Sequence, residues 1–175
     1  MKIYRPNPRQ YEAPIPTMPG VSVLFQRPGD IAVGVREGSM DLGITGYDIQ
    51  AENAFGRDSV LLLHDALGYG PCTLNLAVPN ANPAHKMADL VTWANELAAN
   101  GRSLRIATKF PKVTAQFLDQ HNIPNYTLVN VEGTLEIAPV IGFADMIADL
   151  VSSGLTLRDN HLRKIDDGQI LASQA

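Results

Sequence analysis

Apolar and polar positions from residue 21 onward follow two alternating periods. Short runs rich in β-branched and aliphatic residues predict strands, and apolar positions three or four apart predict helices. The predicted strands cover residues 21–25, 41–46, 60–64, 73–79, 104–108, 126–131 and 144–151. The predicted helices cover residues 30–36, 47–54, 85–100, 111–122, 134–141 and 156–162. Strands separated by helices in this way predict an α/β fold with mainly parallel sheets.

The stretches outside these elements also carry information. Five prolines in the first 20 residues prevent a continuous helix there, and the tail from Arg163 shows no clear period. The glycines of Gly68-Tyr69-Gly70-Pro71-Cys72 let the chain bend, and we expect it to cross there from one lobe to another. Ligands of such sheets bind beyond the carboxyl ends of the strands, so the loops at those ends are the places to look for chemistry.

Composition narrows the class of protein. Lys plus Arg total 14 and Asp plus Glu total 18 among 175 residues, and the net charge of −4 argues against a general nucleic-acid or anionic membrane surface. The single cysteine, Cys72, excludes an intramolecular disulfide and is expected to be a packed small hydrophobe rather than a nucleophile. The four histidines lack metal-ligand spacing, and no apolar run approaches the roughly 18 residues of a membrane span. With no apolar segment near Met1, a cytoplasmic location is expected.

The most informative segment is the strand at 144–151 and the turn that follows it. Asp145 and Asp149 interrupt this apolar strand at i and i+4, so both are expected to project from one face. The turn Ser152-Ser153-Gly154-Leu155-Thr156 then enters a helix and offers hydroxyls and backbone N–H groups to one phosphate. Because carboxylates accept hydrogen bonds from ribose hydroxyls, the segment predicts a sugar-phosphate site. The alternative is that Asp145 is a solvated edge residue and Thr156 only an N-cap.

The segment from Val131 to Leu157 resembles the phosphoribosyl-pyrophosphate motif of the ATP phosphoribosyltransferase family. Residues 25–31, 41–46, 68–72 and 105–111 are also similar to stretches of that family, in the same order. The resemblance implies a two-lobed fold like that of type II periplasmic binding proteins, with a central cleft. One discontinuous lobe then contains residues 1–72 and 156–175, and its N-terminal part is incomplete. Residues 73–155 form the other lobe, which carries the phosphoribosyl-pyrophosphate loop.

The resemblance also implies an activity, the first step of histidine biosynthesis. Members transfer the phosphoribosyl group of phosphoribosyl pyrophosphate to N1 of ATP, with Mg2+ (magnesium), and release pyrophosphate. On this reading Asp145 and Asp149 are catalytic residues that face the ribose hydroxyls. The 5′-phosphate is held by the five loop residues Ser152, Ser153, Gly154, Leu155 and Thr156.

Five further residues receive expected substrate roles. Thr108 and Lys109 end a strand and are expected to meet phosphate, with a solvated lysine as the alternative. Glu136 has a substrate or magnesium role. Arg27 binds an anionic leaving group or forms a surface ion pair. Gly46 allows close approach of a nucleotide or serves only a turn.

Two departures from the family pattern bear on activity and partners. Residues 1–20 contain neither the strand nor the basic Lys-Gly-Arg-like turn with which members begin, and no ferredoxin-like regulatory domain follows the catalytic region. The chain is therefore expected to be a truncated product or a divergent short form. Expected partners are further copies of the chain in a dimer-based oligomer, or a histidyl-tRNA-synthetase-like regulatory subunit, with no nucleic acid or membrane. The alternative function is a non-catalytic relative that binds a nucleotide, a sugar phosphate or another solute.

Overall fold

The computed structural model describes residues 3, 5, 7, 9–54, 60–131 and 133–175. They form two compact units, one up to Thr45 and one from Gly46 to Ala175. The first contains β1 (Glu12–Pro14), β2 (Ser22–Leu24) and α1 (Pro28–Arg36). The second contains α2 (Tyr47–Ala54), β3 (Cys72–Pro79), α3 (Met87–Ala99), β4 (Leu104–Thr108), α4 (Pro111–Gln120), β5 (Tyr126–Asn130), a 3-10 turn (Leu135–Ile137), β6 (Met146–Val151), α5 (Leu155–Asp159) and β7 (Leu162–Ser173).

The first unit combines a short hairpin with one helix. β1 and β2 pair antiparallel, with Ala13 opposite Val23. Helix α1 begins at Pro28, whose fixed φ and missing N–H suit a first helical position. The predicted helix is therefore confirmed, but it begins at Pro28 rather than at residue 30, with Arg27 as its N-cap.

The second unit is built on a five-stranded sheet in the order β5-β4-β6-β3-β7. β4 runs parallel to β5 on one side and to β6 on the other, and Ile106 aligns with Met146. β3 runs antiparallel to both β6 and β7. The predicted α/β class is confirmed, and the parallel arrangement holds for the three strands β5, β4 and β6.

Alternation along the strands separates the core into two layers. One face of the sheet carries Leu76, Ile106 and Met146 and packs beneath α3 and α4. The other face carries Ala77, Ile147 and Val151 and packs against the 3-10 turn through Leu135 and against α5 through Leu157. Asp149 lies between Ile147 and Val151 in the alternation, so it belongs to this second face.

Two predicted strands and one predicted helix are wrong. Residues 41–46 and 60–64 are not strands, and apolar side chains in them such as Leu42 and Leu61 are 65% and 80% exposed. A strand requires a neighbour for its backbone groups, and an apolar run alone does not supply one. The helix expected at 134–141 is only the 3-10 turn, because Pro139 lacks an N–H and Gly142 has a φ of 72°.

The tail contains the longest strand, which the periodicity did not predict. Strand β7 changes register against β3 between Leu74 and Asn75 and again between Asn75 and Ala77. These irregularities break the period of two on which sequence reading relies. The predicted division into lobes 1–72 with 156–175 and 73–155 stays a prediction.

Tyr126 links the edge strand β5 to helix α4. Its hydroxyl donates to Oδ1 of Asp119 at 2.7 Å. Partial burial raises the pKa of Tyr126, and the hydrogen bond and charge of Asp119 raise it further, to about 12. Because an unfolded tyrosine titrates near pH 10, this contribution to stability is complete below about pH 10 and is lost between there and about pH 12.

Ultraviolet absorbance of tyrosinate tests this directly. The difference between the titrations of the chain and of Tyr126→Phe is expected to show a single ionisation near pH 12. An ionisation of Tyr126 near pH 10 would mean that the bond to Asp119 is not formed in solution.

Candidate functional site

A cavity of about 60 Å³ lies at the carboxyl end of β6, on the face covered by the 3-10 turn and α5. Its lining residues are Glu136, Asp149, Leu150, Val151, Ser152, Ser153, Gly154, Thr156 and Leu157. The volume corresponds to about four to six water positions, so a group of a few heavy atoms, such as a phosphate, can enter. The loop predicted to hold a phosphate therefore borders a cavity of suitable size.

Asp149 supplies a carboxylate to the wall of this cavity. Burial raises its pKa; the backbone N–H of Leu150, which donates to Oδ1 at 2.8 Å, lowers it; the charge of Glu136 raises it; and the charge of Lys109 lowers it. The net effect is a pKa above the ordinary value. Leu150 occupies only part of the acceptor capacity of a carboxylate, so Asp149 is suited to accept hydrogen bonds from hydroxyl groups.

The loop Ser152–Thr156 makes the other side of the cavity. Gly154 has a φ of 73°, a left-handed conformation that glycine adopts without a steric cost, and it forms the N-cap of α5. Ser152 and Ser153 are exposed, and Ser153 Oγ accepts the N–H of Leu155 at 3.3 Å. Because α5 has only five residues, the hydroxyls and loop N–H groups carry the polarity rather than a helix dipole. Leu155 is not among the lining residues, and its side chain is 54% exposed.

Comparison with known proteins bears on this site. Residues 27–175 match the HisG family model, which is described as ATP phosphoribosyltransferase. The chain belongs to the ATP phosphoribosyltransferase family.

Two relatives show how much of a family member the chain represents. The chain is 42% identical over 175 residues to ATP phosphoribosyltransferase 2, chloroplastic, of Arabidopsis thaliana, covering 97% of this chain and 41% of that protein. It is 41% identical over 172 residues to the ATP phosphoribosyltransferase of Chelativorans sp. (strain BNC1), covering 97% and 75%. The chain thus spans about two fifths of the plant enzyme and three quarters of the bacterial one.

One solved structure shows the same fold. It is the ATP phosphoribosyl transferase (HisG:HisZ) complex from Thermotoga maritima, with a TM-score of 0.69 and 22% identity. The match covers 99% of this chain and 73% of the Thermotoga chain. At this identity the likeness concerns the fold.

Glu136 and Lys109, both predicted from the family resemblance, lie near Asp149. Glu136 lines the cavity from the 3-10 turn, and its charge acts on Asp149. Lys109 follows β4, is exposed, and its charge also acts on Asp149. Two carboxylates therefore line the cavity, and Lys109, which is not a lining residue, adds a positive charge that acts on Asp149.

Thr108 occupies a different environment from its neighbour Lys109. It is fully buried, and its Oγ1 accepts the N–H of Phe110 at 3.0 Å. This hydrogen bond closes a turn that spans Lys109. Thr108 is not among the residues that line the cavity. The phosphate contact expected of Thr108 stays a prediction.

The structure does not bring Asp145 together with Asp149. Asp145 precedes β6, and four residues of strand separate the two by about 13 Å. Its Oδ2 accepts the backbone N–H and the Nε of Arg105 at 2.9 and 3.1 Å, and its Oδ1 accepts Nη2 at 2.8 Å. The i, i+4 spacing places both aspartates on the same face of the sheet. It does not place them in the same site, because residues on one face of a strand can be far apart along it.

The environment of Asp145 favours its charged form. Burial raises its pKa, but the side-chain and backbone hydrogen bonds of Arg105 and the charges of Arg105 and Arg102 lower it below its ordinary value. Arg105 also donates Nη1 to the carbonyl of Gly142 at 2.8 Å. This cluster, which sequence reasoning missed, fixes the loop between the 3-10 turn and β6. A charged residue within the apolar strand 104–108 was the available signal.

Arg27 and Gly46 are not among the residues that line the cavity. Arg27 is exposed at the start of α1 in the first unit, and its substrate role stays a prediction. A Cβ at Gly46 would overlap the carboxylate of Asp48. Because Asp48 also accepts a hydrogen bond of 2.6 Å from the hydroxyl of Ser173, the packing of this pair is sufficient reason for the glycine.

Cys72 lies beside the same pair. Burial raises the pKa of its thiol, the charge of Asp48 raises it further, and a hydrogen bond with Ser173 lowers it, with a raised pKa as the result. A raised pKa disfavours the thiolate, which is the reactive form. The raised pKa agrees with the expectation that Cys72 is not a nucleophile, whereas its role as a packed small hydrophobe stays a prediction, because the residue is only partly buried.

Two features are absent from the residues that the structure describes. None of the helices in that part of the chain is both long enough and apolar enough to cross a membrane. Among the same residues, no cluster of three or more His, Cys, Asp or Glu side chains has the arrangement of a metal site. The cytoplasmic location stays a prediction.

Proposed function

We propose that the chain acts in the ATP phosphoribosyltransferase reaction, transferring phosphoribosyl from phosphoribosyl pyrophosphate to N1 of ATP and releasing pyrophosphate. The observation that carries the proposal is the phosphate-sized cavity between Asp149 and the Ser152–Thr156 loop. The family membership supports the same reaction. The chain spans only part of the length of these relatives, so the activity of the whole enzyme is proposed for it.

The residues present suit a reaction that depends on positioning and charge. N1 of adenine has a free lone pair, so attack on the anomeric carbon requires no general base. As the bond to pyrophosphate breaks, positive charge develops on the ribose and negative charge on the leaving group. Asp149 accepts hydrogen bonds from the ribose hydroxyls, the loop holds the 5′-phosphate, and Lys109 supplies a positive charge at the same edge.

The chemistry of the site fits Mg2+ in one specific way. Glu136 and Asp149 offer two carboxylates at one cavity, fewer than a cage made by the protein alone requires. Mg2+ is commonly held by one or two carboxylates together with substrate phosphates, and when bound it neutralises charge on the leaving pyrophosphate. Glu136 and Asp149 are therefore the residues we propose to hold it.

Pyrophosphate release from ATP and phosphoribosyl pyrophosphate with Mg2+ tests the proposal. We expect release by the chain alone or after addition of a histidyl-tRNA-synthetase-like regulatory subunit, and calorimetric binding of phosphoribosyl pyrophosphate in either case. Binding without release under both conditions would instead support a non-catalytic relative that binds sugar phosphates. Absence of binding would contradict the assignment of the cavity.

The partner remains part of the proposal. The Thermotoga protein is described as a HisG:HisZ complex, and we propose that this chain works either in a dimer-based homo-oligomer or with a regulatory subunit of that kind. Light scattering of the chain, alone and mixed with such a subunit, distinguishes the two arrangements.

A further inference from the structure

The N-terminus of α4 is capped by a residue of a different helix. Pro111 has no N–H, and the N-cap residue Phe110 makes no side-chain cap. The next two N–H groups, of Lys112 and Val113, donate to the carboxylate of Glu52 on α2 at 3.0 to 3.1 Å. Glu52 thus satisfies backbone donors that would otherwise have no partner within the helix.

The same two helices are joined by apolar contacts. Phe110 and Val113 are buried in a cluster with Leu74, and Ile49 and Ala51 of α2 pack against it. The hydrogen bonds of Glu52 therefore add a polar contact to the apolar contact between α2 and the first turn of α4. Removing the carboxylate of Glu52 would break the hydrogen bonds to Lys112 and Val113 but leave the apolar contacts between the two helices in place.

Helix α2 is itself fixed at its other end. The N–H of Asp48 donates to Ser173 Oγ at 2.9 Å, and Ser173 donates back to Asp48 Oδ1. The N–H of Tyr47 donates to the carbonyl of Gln174 at 3.1 Å. Because α2 is anchored where β7 ends, Glu52 connects the start of α4 to a fixed point of the sheet.

Lys109 lies between two anchored residues. On one side is the buried Thr108, and on the other is Phe110, which is 5% exposed and donates its N–H to Thr108 Oγ1. Lys109 itself is exposed. Thr108 pairs with Ala148 in the parallel strands β4 and β6, so the next residues along, Lys109 and Asp149, lie at the same level of the sheet. Because Lys109 directly precedes Phe110, the N-cap of α4, a shift of the first turn of α4 would move the backbone of Lys109.

We propose that Glu52 is a positioning residue, which by capping α4 holds Lys109 beside Asp149 for the incoming phosphorylated substrate. The proposal rests on the proposed function, because it assigns Lys109 to the substrate side of that cavity. Neither Glu52 nor Lys109 is among the lining residues, and Glu52 acts on the site through the position of Lys109 after β4. Glu52 and Lys112 are 60 residues apart in sequence, and no local pattern connects them.

Glu52→Gln is the principal test, since glutamine keeps the size of the side chain and removes the charge and one acceptor oxygen. We expect KM for phosphoribosyl pyrophosphate with Mg2+ to rise about tenfold with a smaller change in kcat, because charge-assisted bonds that position a binding group are lost. The matched control is Glu96→Gln on the exposed face of α3, which is expected to leave KM unchanged. Equal KM values for the two variants would overturn the proposal.

A double-mutant cycle separates positioning from general stability. In a Lys109→Met background, Glu52→Gln is expected to lose its effect on KM but to keep its effect on the thermal midpoint. An undiminished rise in KM in that background would overturn a role through Lys109. If Glu52→Gln yields too little folded chain, Glu52→Asp takes its place. This variant keeps the charge and shortens the side chain, and it is expected to raise KM by less than about tenfold. A KM equal to that of the parent chain would overturn the proposal.

Failure of this inference is distinguishable from failure of the proposed function. Asp149→Asn measured in the same assay reports on the cavity independently of α4. If Asp149→Asn loses binding of phosphoribosyl pyrophosphate while Glu52→Gln keeps the KM of the parent chain, the proposed function stands and only the role of Glu52 is overturned.

Discussion

Replacing Asp149 with asparagine is expected to lower kcat/KM for phosphoribosyl pyrophosphate by about a hundredfold or more. Asparagine keeps the shape of the side chain but removes the negative charge that faces the ribose as positive charge develops. The measurement is steady-state pyrophosphate release, under whichever condition gives activity. Asp166→Asn, which makes the same change at an exposed position of β7, is the matched control and is expected to have no effect.

The stability of Asp149→Asn is expected to be equal to that of the parent chain or higher. The pKa of Asp149 is raised in the folded chain, mainly by burial. Ionisation therefore favours the unfolded state, and the stability associated with the protonated form is lost as the pH rises through the folded pKa. The negative charge of Asp149 is needed for activity but destabilises the folded chain. Its removal is therefore expected to lower activity without lowering stability. Unchanged kcat/KM in Asp149→Asn would contradict the site assignment.

Replacing Asp145 with alanine is expected to lower the free energy of unfolding by about 2 kcal/mol, with little change in affinity for phosphoribosyl pyrophosphate. The change leaves the guanidinium and backbone N–H of Arg105 without their carboxylate acceptor. The Asp145 side chain is only 12% exposed, whereas that of Arg105 is 35% exposed, so the loss is smaller than for a fully buried pair. Urea denaturation of Asp145→Ala, Arg105→Ala and the double variant gives the coupling energy.

The pH dependence of this pair has a definite sign. The folded pKa of Asp145 is lowered, so its contribution to stability is present above the unfolded value, near pH 4, and is lost as the pH falls through the folded pKa. Asp145→Ala should therefore differ from the parent chain at neutral pH and approach it in acid. Loss of phosphoribosyl pyrophosphate binding at full stability would instead support the catalytic role that the sequence predicts for Asp145.

The contrast between the two aspartates shows what spacing along a strand conveys. The i, i+4 pattern establishes a common direction, but a strand rises about 3.3 Å per residue, so the carboxylates occupy opposite ends of β6. Asp149 lies beside the loop that follows the strand, and Asp145 lies beside Arg105 of the neighbouring strand. Only the pairing of β4 with β6 reveals the second environment.

Other sequence predictions succeeded or failed for comparable reasons. Helix α4 begins at Pro111 as predicted, because the fixed φ of proline is a local property. The apolar runs at 41–46 and 60–64 do not form strands, and β7 was not predicted, because strand formation depends on a partner elsewhere in the chain. The Glu52 cap likewise joins two elements that local patterns treat separately.

The sequence by itself determined the α/β class, the hydroxyl-rich turn after β6, and the choice of Asp149 and Glu136 as cavity residues. These features depend on residue type, short spacing and family motifs, all of which can be read along the chain. The tertiary structure decided that Asp145 pairs with Arg105, that Glu52 caps α4, and that the last strand joins β3. Each of these is a contact between distant segments, and its geometry exists only after the strands have paired and the helices have packed on them.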